Sequence, residues 1–288
     1  MDEKYILSLL NKYYPIDFDE ITFFRDSGCI SYIVSGNDHK YFLRITKKSF
    51  SETITSSLDI HLYLQNKNFF VPPIIFTKDN KATFSISYEN EKRYFILYEY
   101  IKGEQSDPTI DAEELGTFIG KLHQIMKSYP GKLPICDKQF YVDRYIQIMR
   151  AKQYKNADLF ASYGNILGNI LKTDDGSFYL LDLDTFCYGF LLYDPALLCN
   201  VTDYFDLEEN GAEKTKKIFE RFTTTYEKLI PFEKDEKEAV YDIIALYHFA
   251  LQATIIEIFG MDCVDNDFFD RQLSWLQKWQ NQCSALKL

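Results

Sequence analysis

Apolar and polar residues alternate along much of the N-terminal part of this chain. Residues 21–25, 31–34 and 40–45 show a period of two and are separated by turn-forming residues. Residues 82–87 and 93–100 are predicted as further strands that complete the sheet. Because successive side chains of a β-strand point to opposite faces, this alternation predicts half-buried strands joined by tight turns. We therefore predict an antiparallel sheet in this region.

Helical periodicity replaces the alternation beyond Gly103. Residues 111–128 carry apolar side chains every three or four positions, which predicts an amphipathic helix. Residues 2–13 and 49–65 are predicted as earlier helices. Later helices are predicted at residues 141–154, 195–204, 208–230, 233–259 and 266–285. The change of period predicts a boundary between two lobes near residues 101–107.

A second hairpin is predicted at residues 168–181, where two short apolar runs flank an acidic, glycine-containing turn. Asn169 lies at the start of the first run, and Asp182 and Asp184 follow the end of the second. A hairpin brings its two open ends together, so Asn169 and Asp182 are expected close enough to share a divalent cation. Carboxylate and amide oxygens suit magnesium beside nucleotide phosphates.

The composition is that of a folded, soluble protein. Of the 288 residues, 46% are apolar and 26% are charged. No apolar run approaches the roughly 20 residues of a membrane span, and the acidic N-terminus is unlike a signal peptide. We therefore expect a cytoplasmic protein without a membrane partner. Six cysteines that form no Cys-x-x-Cys pair indicate structural thiols rather than a zinc site.

The net charge of −11 bears on the possible partners. Binding to nucleic acid needs clustered Lys and Arg to neutralise phosphates, so we expect no nucleic-acid partner. Long-range steering weakly favours a cationic small molecule. The sequence leaves the oligomeric state open.

The residues of the second hairpin and those after it resemble a known family. They are Asn169, Ile170, Leu171, Asp182, Asp184, Gly189 and Asp194-Pro195-Ala196. Their order is similar to that in the aminoglycoside phosphotransferase and choline kinase superfamily. The resemblance implies an α+β, bilobal protein-kinase-like fold. Residues 1–101 would form a small nucleotide-covering lobe, an antiparallel sheet with one helix. Residues 102–288 would form a larger, mainly helical lobe with the hairpin and an acceptor pocket.

The resemblance also implies a site for ATP or another nucleoside triphosphate. Arg44 takes the place of the phosphate-binding lysine on the third strand. Gly28 lies in the loop that should cover the phosphates, and Glu99 and Ile101 lie in the hinge that should bind adenine. Two alternatives stay open: Gly28 as part of a plain hairpin turn, and Arg44 as a charge at a strand edge.

The glutamate that pairs with the strand lysine in this family has no direct counterpart here. An ungapped count places Ser57 at its position. Glu52 or Asp59 would replace it if the helix were rotated. A Leu-Gly and Leu-His pattern ending at His123 matches a family helix, and there the histidine is predicted to be structural rather than a base.

The catalytic loop departs from the family pattern, His-Gly-Asp-x-x-x-x-Asn. With Asn169 as the final Asn, and as a magnesium ligand beside Asp182, the aspartate position is Gly164. No simple change of register restores an aspartate, although a six-residue insertion would reach Asp158. Asp158 and Asp184 are therefore the candidate substitutes for the missing base.

Two classes of function follow from this pattern. The first is ATP- and Mg²⁺-dependent phosphoryl transfer to a small hydroxyl compound, slow or absent because Gly164 replaces the catalytic aspartate. The second is a catalytically inactive kinase-like protein that binds a nucleotide, a metabolite or a protein partner. Whether the chain is an enzyme is left open at this stage, because phosphoryl transfer depends mainly on positioning and charge neutralisation.

Overall fold

The computed structural model describes residues 1–26, 29–47, 53–133, 139–155, 170–173, 178–180, 191–203, 205–232 and 234–286. The chain divides into two compact units. Unit 1 comprises Met1–Gln105, Tyr129–Gly131 and Asn169–Phe186, and unit 2 comprises Ser106–Ser128, Lys132–Gly168 and Cys187–Leu288. The chain therefore returns to unit 1 twice after first leaving it.

Six strands form the main sheet of unit 1. They are β1 (Phe18–Asp26), β2 (Cys29–Gly36), β3 (His39–Thr46), β4 (Ile74–Ile75), β5 (Phe84–Tyr88) and β6 (Glu91–Glu99). Their order is β1-β2-β3-β6-β4, with β5 also paired to β6, and every pair is antiparallel. In the β2–β3 turn, Asn37 and Asp38 both have positive φ, as tight hairpins require. The predicted antiparallel sheet is confirmed.

Two helices cover the two faces of this sheet. Helix α1 (Glu3–Tyr13) packs in one core cluster with Phe95 and Leu97 of β6. Helix α2 (Ile54–Asn66) packs in another with the intervening Ile96 and Tyr98. All four positions are buried, which explains why residues 95–98 of this strand form a continuous apolar run instead of alternating. Unit 1 thus has a second helix besides the single one predicted for the lobe, because the N-terminal helix also packs on the sheet.

A smaller sheet of three strands completes the described part of unit 1. Strand β7 (Gly103–Gln105) pairs with β8 (Ile170–Thr173), which pairs with β9 (Phe178–Leu180). Both pairings are antiparallel, and Ile170 lies opposite Leu180. The two strands of the predicted second hairpin are therefore present and paired. The pairing of β7 with them was not predicted.

Helices make up most of the described part of unit 2. They are α3 (Pro108–Met126), α4 (Arg144–Ala151), α5 (Tyr193–Cys199), α6 (Gly211–Tyr226), α7 (Lys234–Glu238), α8 (Val240–Phe259) and α9 (Asn266–Ser284). Asp107 caps the first of these by accepting a hydrogen bond from the Thr109 N–H at 2.9 Å. The helix predicted at residues 233–259 is two helices, α7 and α8.

Helices α3 and α6 approach closely at Gly116. A Cβ at this position would lie 2.2 Å from the carbonyl oxygen of Phe222 and 2.5 Å from Oγ1 of Thr225. The guanidinium of Arg221 fixes the same pair of helices by forming two hydrogen bonds to the Glu113 carboxylate, at 2.8 and 2.6 Å. The absent side chain and the bidentate ion pair together hold the two helices in one arrangement.

Helix α8 is long and apolar enough to cross a membrane by length and composition alone, and it is the only such helix among the described residues. The most apolar 18-residue segment of this helix is 56% buried within the protein. The buried side chains include Tyr247 and Phe249, whose rings pack against Tyr193 and Tyr145. The packing is that of a core helix of unit 2.

Candidate nucleotide site

Arg44 lies on β3, in the middle of the main sheet. It is half-buried and faces Ser31 of β2 and Ile96 of β6 across the two pairings. Ser31 in turn lies opposite Arg25 of β1. Since directly paired residues point to the same face of a sheet, the two arginines share a face, with β2 between their strands. Sequence reasoning identified Arg44 and missed Arg25.

Two aromatic rings lie on the same face as Arg44. Phe42 precedes Arg44 by two residues on β3, and its ring meets that of Phe24 edge to face at 5.6 Å. The register of β1 shifts between Phe23 and Arg25, so a bulge turns Phe24 toward this face next to Arg25. Phe24 is 52% exposed. The face thus offers an accessible aromatic surface beside two cations.

The sequence of β1 contains a feature that could have indicated this aromatic surface. Phe23 and Phe24 are adjacent, which breaks the alternation expected of a strand with one buried face. The Phe23 ring packs on Tyr32, on the opposite face from Arg44, at 5.7 Å. Two adjacent aromatic residues in a strand can therefore indicate a bulge. Here the bulge turns the Phe24 ring to the face opposite that of Phe23.

Helix α2 presents His61 to the Arg44 face of the sheet. His61 is buried, its Nε2 lies 2.7 Å from the Pro72 carbonyl oxygen, and its ring lies 5.2 Å from that of Tyr98. Burial lowers the pKa of His61 to about 4, the positive charge of Arg44 lowers it too, and the hydrogen bond to Pro72 opposes both. The imidazole is therefore neutral at pH 7, and Nε2 carries the proton that it donates to Pro72.

Ser57, Asp59 and Glu52 are the candidates for the position of the glutamate that pairs with the strand cation, and the first two do not lie on the same side of α2. Ser57, one turn before His61, is buried on the same side of α2. Asp59 is two residues from each of them and is exposed. At about 100° per residue, Asp59 lies on the opposite side of α2 from Ser57, so Ser57 and not Asp59 is on the buried side of the helix. Glu52 lies outside the described residues.

The predicted hinge follows directly from the end of β6. The Glu99 N–H donates to the Pro73 carbonyl at 2.9 Å, and the Tyr100 N–H donates to the Lys40 carbonyl at 3.3 Å. Ile101 is half-buried and connects this segment to β7. Hydrogen bonds to the Pro73 and Lys40 carbonyls thus fix the backbone just before residue 101. A fixed backbone is what a segment needs in order to present its own N–H and C=O groups to a ligand.

Six candidate residues for the phosphate loop, the metal site and the catalytic base lie outside the described part of the chain. Gly28, Asp158, Gly164, Asn169, Asp182 and Asp184 all lie outside it. Within the described ranges no cluster of three or more His, Cys, Asp or Glu residues is arranged to hold a metal ion. The assignments of these six residues stay predictions.

His123 has the structural role predicted for it. Its Nδ1 lies 2.7 Å from the Tyr226 hydroxyl and its Nε2 lies 2.8 Å from Oδ2 of Asp194. The buried ring therefore joins α3, α5 and α6 inside unit 2. Asp194 belongs to the Asp-Pro-Ala sequence that carried part of the family resemblance, so this motif has a packing role.

The resemblance implies that the helical C-terminal region forms the acceptor pocket, and four of its acidic residues, Asp203, Asp206, Asp262 and Asp265, are candidates to face a substrate. Two of them have local structural roles. The Asp203 carboxylate accepts hydrogen bonds from the Phe205 and Asp206 N–H groups, at 2.7 and 3.1 Å. Asp265 caps α9 by accepting from the Phe268 N–H at 2.8 Å. Turn formation and helix capping explain these two carboxylates without a substrate. Asp206 and Asp262 are exposed.

Solved structures share this architecture, although no family model matches the chain and no curated protein matches it significantly. An amicoumacin kinase in complex with AMP-PNP superimposes with a TM-score of 0.74 at 17% identity, covering 98% of this chain and 94% of that chain. A microcompartment-associated aminopropanol kinase gives 0.68 at 16% identity, with 98% and 95% covered. A spectinomycin phosphotransferase in complex with ADP and spectinomycin gives 0.64 at 15% identity, with 100% and 95% covered.

The chain therefore has the fold of aminoglycoside phosphotransferases and other small-molecule kinases. It combines an antiparallel sheet in the N-terminal part with a helical C-terminal part, as these structures do. The protein-kinase-like fold implied by the sequence resemblance is confirmed.

Proposed function

We propose that this protein is an ATP- and Mg²⁺-dependent phosphotransferase that acts slowly on a small hydroxyl compound in the cytoplasm. One observation carries the proposal: on one face of a sheet in a kinase-like fold, Arg44 lies beside the Phe24–Phe42 pair, of which Phe24 is exposed and Phe42 half-buried. A fixed cation next to an accessible aromatic surface suits a nucleotide, which combines a charged phosphate chain with a flat base.

Each part of this face has a role toward the nucleotide. The Arg44 guanidinium pairs with phosphate oxygens, and Arg25 adds a second positive charge on the same face. The rings of Phe24 and Phe42 provide the apolar surface for the base. Backbone groups at Glu99 and Ile101 provide hydrogen bonds to its edge, and Gly28 belongs to the loop over the phosphates.

Asn169 and Asp182 are proposed to hold the Mg²⁺ ion. Asn169 precedes β8 by one residue and Asp182 follows the end of β9 by two, and Ile170 and Leu180 are paired between them. This register supports ligands that converge at one end of the hairpin. Amide and carboxylate oxygens fit the preference of a hard cation. When bound, the ion neutralises charge on the phosphates during transfer.

The proposed rate follows from the residue at the base position. Gly164 has no side chain to orient or accept the proton of a substrate hydroxyl, so this step has only a water or the candidate substitutes Asp158 and Asp184. A positioned base contributes roughly 10²- to 10⁴-fold to a rate, so its loss leaves a slow enzyme.

The acceptor is proposed to be a small hydroxyl compound with a positive charge. The solved structures of this fold include kinases of amicoumacin, aminopropanol and spectinomycin by name. The net charge of −11 favours the approach of a cation over that of an anion. Both observations favour an amino alcohol or an aminated antibiotic as the acceptor class.

A catalytically silent protein that binds a nucleotide, a metabolite or a protein partner is the second candidate. The observation in its favour is the simultaneous replacement of two family residues, by Gly164 and Ser57. In its nucleotide-binding form this candidate shares the nucleotide site with the slow enzyme and differs from it only in turnover.

A calorimetric titration with ATP, with and without Mg²⁺, tests the shared part of both candidates. We expect binding that tightens with Mg²⁺, and loss of this tightening in Asp182→Ala. Arg44→Gln should weaken binding with and without the metal. Absence of ATP binding by the wild-type protein would refute the nucleotide site and leave only the partner-binding form of the second candidate. Phosphate transfer to a panel of amino alcohols and aminoglycosides then separates the slow enzyme from the silent protein.

A further inference from the structure

Hydrogen bonds link α2 to the end of β6 through two consecutive carbonyl groups. His61 Nε2 lies 2.7 Å from the Pro72 carbonyl oxygen. The Glu99 N–H donates to the next carbonyl, that of Pro73, at 2.9 Å. Two consecutive prolines have restricted φ and lack N–H groups, so the segment that carries the two carbonyls is stiff. A change in the position of one carbonyl is therefore transmitted to the other.

A second contact connects His61 to the same strand end. Its ring lies 5.2 Å from that of Tyr98, the residue before Glu99. Both side chains are buried, so the contact is part of the core between α2 and the sheet. His61 thus restrains the backbone of Glu99 by two routes, one through the prolines and one through the neighbouring ring.

His61 also packs on the face of the sheet that carries Arg44. Arg44 is paired with Ile96 of β6, and Tyr98, whose ring contacts His61, lies two residues further along the same strand and therefore on the same face. The positive charge of Arg44 accordingly contributes to lowering the pKa of His61. Because the buried imidazole is neutral, it does not repel the guanidinium at pH 7. The neutral imidazole can thus donate to the Pro72 carbonyl without adding a second positive charge beside Arg44.

We propose that His61 is a positioning residue that couples Arg44 to the hinge at Glu99 and Ile101. It fixes the distance between the phosphate-binding cation and the backbone that receives the base, without itself touching the nucleotide. The proposal rests on the proposed function only for the identity of the ligand. The mechanical link between His61 and Glu99 belongs to the protein without ligand.

Three substitutions separate positioning from general packing. His61→Leu removes the donor and leaves the buried Pro72 carbonyl without it. His61→Gln retains an N–H donor of similar reach. Leu64→Ala is the packing control, because Leu64 is a buried apolar residue of the same helix and its truncation leaves the His61–Pro72 hydrogen bond in place. If the Leu variant does not fold, His61→Asn, whose amide is too short to reach the carbonyl, replaces it.

Amide hydrogen exchange in the protein without ligand tests the mechanical link. We expect the Glu99 amide to exchange roughly tenfold faster in His61→Leu, because its acceptor segment loses an anchor. His61→Gln should restore protection, and Leu64→Ala, which loses packing but no hydrogen bond to this segment, should leave the Glu99 amide unchanged. The proposal is wrong if a folded His61→Leu variant keeps wild-type protection at Glu99, or if Leu64→Ala raises the Glu99 exchange rate equally.

Binding measurements test the consequence for the nucleotide. Tripolyphosphate can reach the cations alone, whereas ATP needs the cations and the hinge at a fixed separation. His61→Leu should therefore weaken ATP binding by about tenfold and tripolyphosphate binding by less than about twofold, with rescue in His61→Gln. Equal weakening of both ligands would show a purely structural effect and overturn the coupling. If wild-type protein binds no ATP, the proposed function fails, while the exchange experiment still decides the link from His61 to Glu99.

Discussion

The side chains of the candidate nucleotide site are arranged by the two-residue period of the strands and by one bulge in β1. Arg44 and Phe42 share a face because they are two positions apart on β3. Phe24 joins them because the register of β1 shifts between Phe23 and Arg25. The adjacent rings of Phe23 and Phe24 are similarly exposed, at 51% and 52%, yet they lie on opposite faces of the sheet.

This arrangement gives a prediction with an internal control. Phe24→Ala should weaken ATP binding by about fivefold or more, since aromatic stacking on a base is worth about 1–3 kcal/mol. Phe23→Ala removes an equally exposed ring from the other face and should leave the affinity unchanged. Isothermal titration of both variants measures the difference. Equal effects in the two variants would exclude the Phe24 face as the base-binding surface.

Two buried histidines make stability depend on pH. Burial lowers the pKa of His61 to about 4 and that of His248 to about 3, and His248 lies in a fully buried site where its ring stacks on Trp275. Unfolded histidines titrate near 6.5, so the unfolded state binds the extra protons first. The stabilisation is complete above pH 6.5 and is lost as the pH falls from 6.5 toward 4 and 3, by up to about 1.4 kcal/mol per pH unit for each histidine.

Urea unfolding between pH 7 and 4.5 measures this dependence. The wild-type slope should approach two protons, and His61→Gln should reduce it by about one. An identical slope in the two proteins would contradict the neutral, buried state of His61.

The proposed slow turnover is also a prediction about one residue. Gly164→Asp should raise phosphoryl transfer by roughly 10²- to 10⁴-fold, the contribution of a positioned base. ATP affinity should be unchanged, because the substitution concerns the acceptor hydroxyl. Steady-state assays with the best acceptor from the panel provide the measurement. Fast wild-type transfer that survives both Asp158→Asn and Asp184→Asn would refute this assignment.

Among the elements, the α3–α6 pair offers a test of packing against helix propensity. Alanine is the better helix former by about 1 kcal/mol, so Gly116→Ala should stabilise an isolated α3. In the protein the new Cβ would overlap the backbone of Phe222, which cannot move as a flexible side chain can. We therefore expect net destabilisation of about 1–3 kcal/mol.

Gly120→Ala is the matched control for this substitution. It lies one turn further along α3, and its Cβ would meet the end of the Leu229 side chain at 2.8 Å, which can rotate away. Its effect in urea unfolding should be smaller than that of Gly116→Ala. Equal effects would indicate that backbone approach is not what requires glycine at position 116.

Elements with strong local patterns were predictable from the sequence. The strands β8 and β9 were expected because two apolar runs flank an acidic, glycine-containing turn, and α3 was expected from its apolar stripe. Strand β7 was missed because Gly103–Gln105 is too short to show a period, and its partner is distant in sequence. His61 was missed for a similar reason, since its role arises when α2 packs against the two prolines, a contact that no local pattern encodes.

At the scale of the whole molecule, this chain shares its fold with solved structures to which few of its residues are identical. Structures that are 15–17% identical to this chain superimpose with TM-scores of 0.64–0.74 over nearly its whole length. A fold depends on where apolar positions recur, and many side chains satisfy the same pattern. The acceptor depends on a few side chains that the pattern does not constrain, which is why the sequence indicated the fold and left the acceptor to experiment.

The small sheet has a consequence for how the chain is made on the ribosome. Every strand of the main sheet has been synthesised once Glu99 is complete, whereas β7 must await Thr173, which follows Gly103 by 70 residues (173 − 103). At about 5–20 residues per second this delay lasts roughly 3.5–14 s. During these seconds the nascent chain carries a finished main sheet and a strand whose partner is not yet translated. Slowing translation between these two points would therefore lengthen the time during which a chaperone or a neighbouring nascent chain can capture that strand.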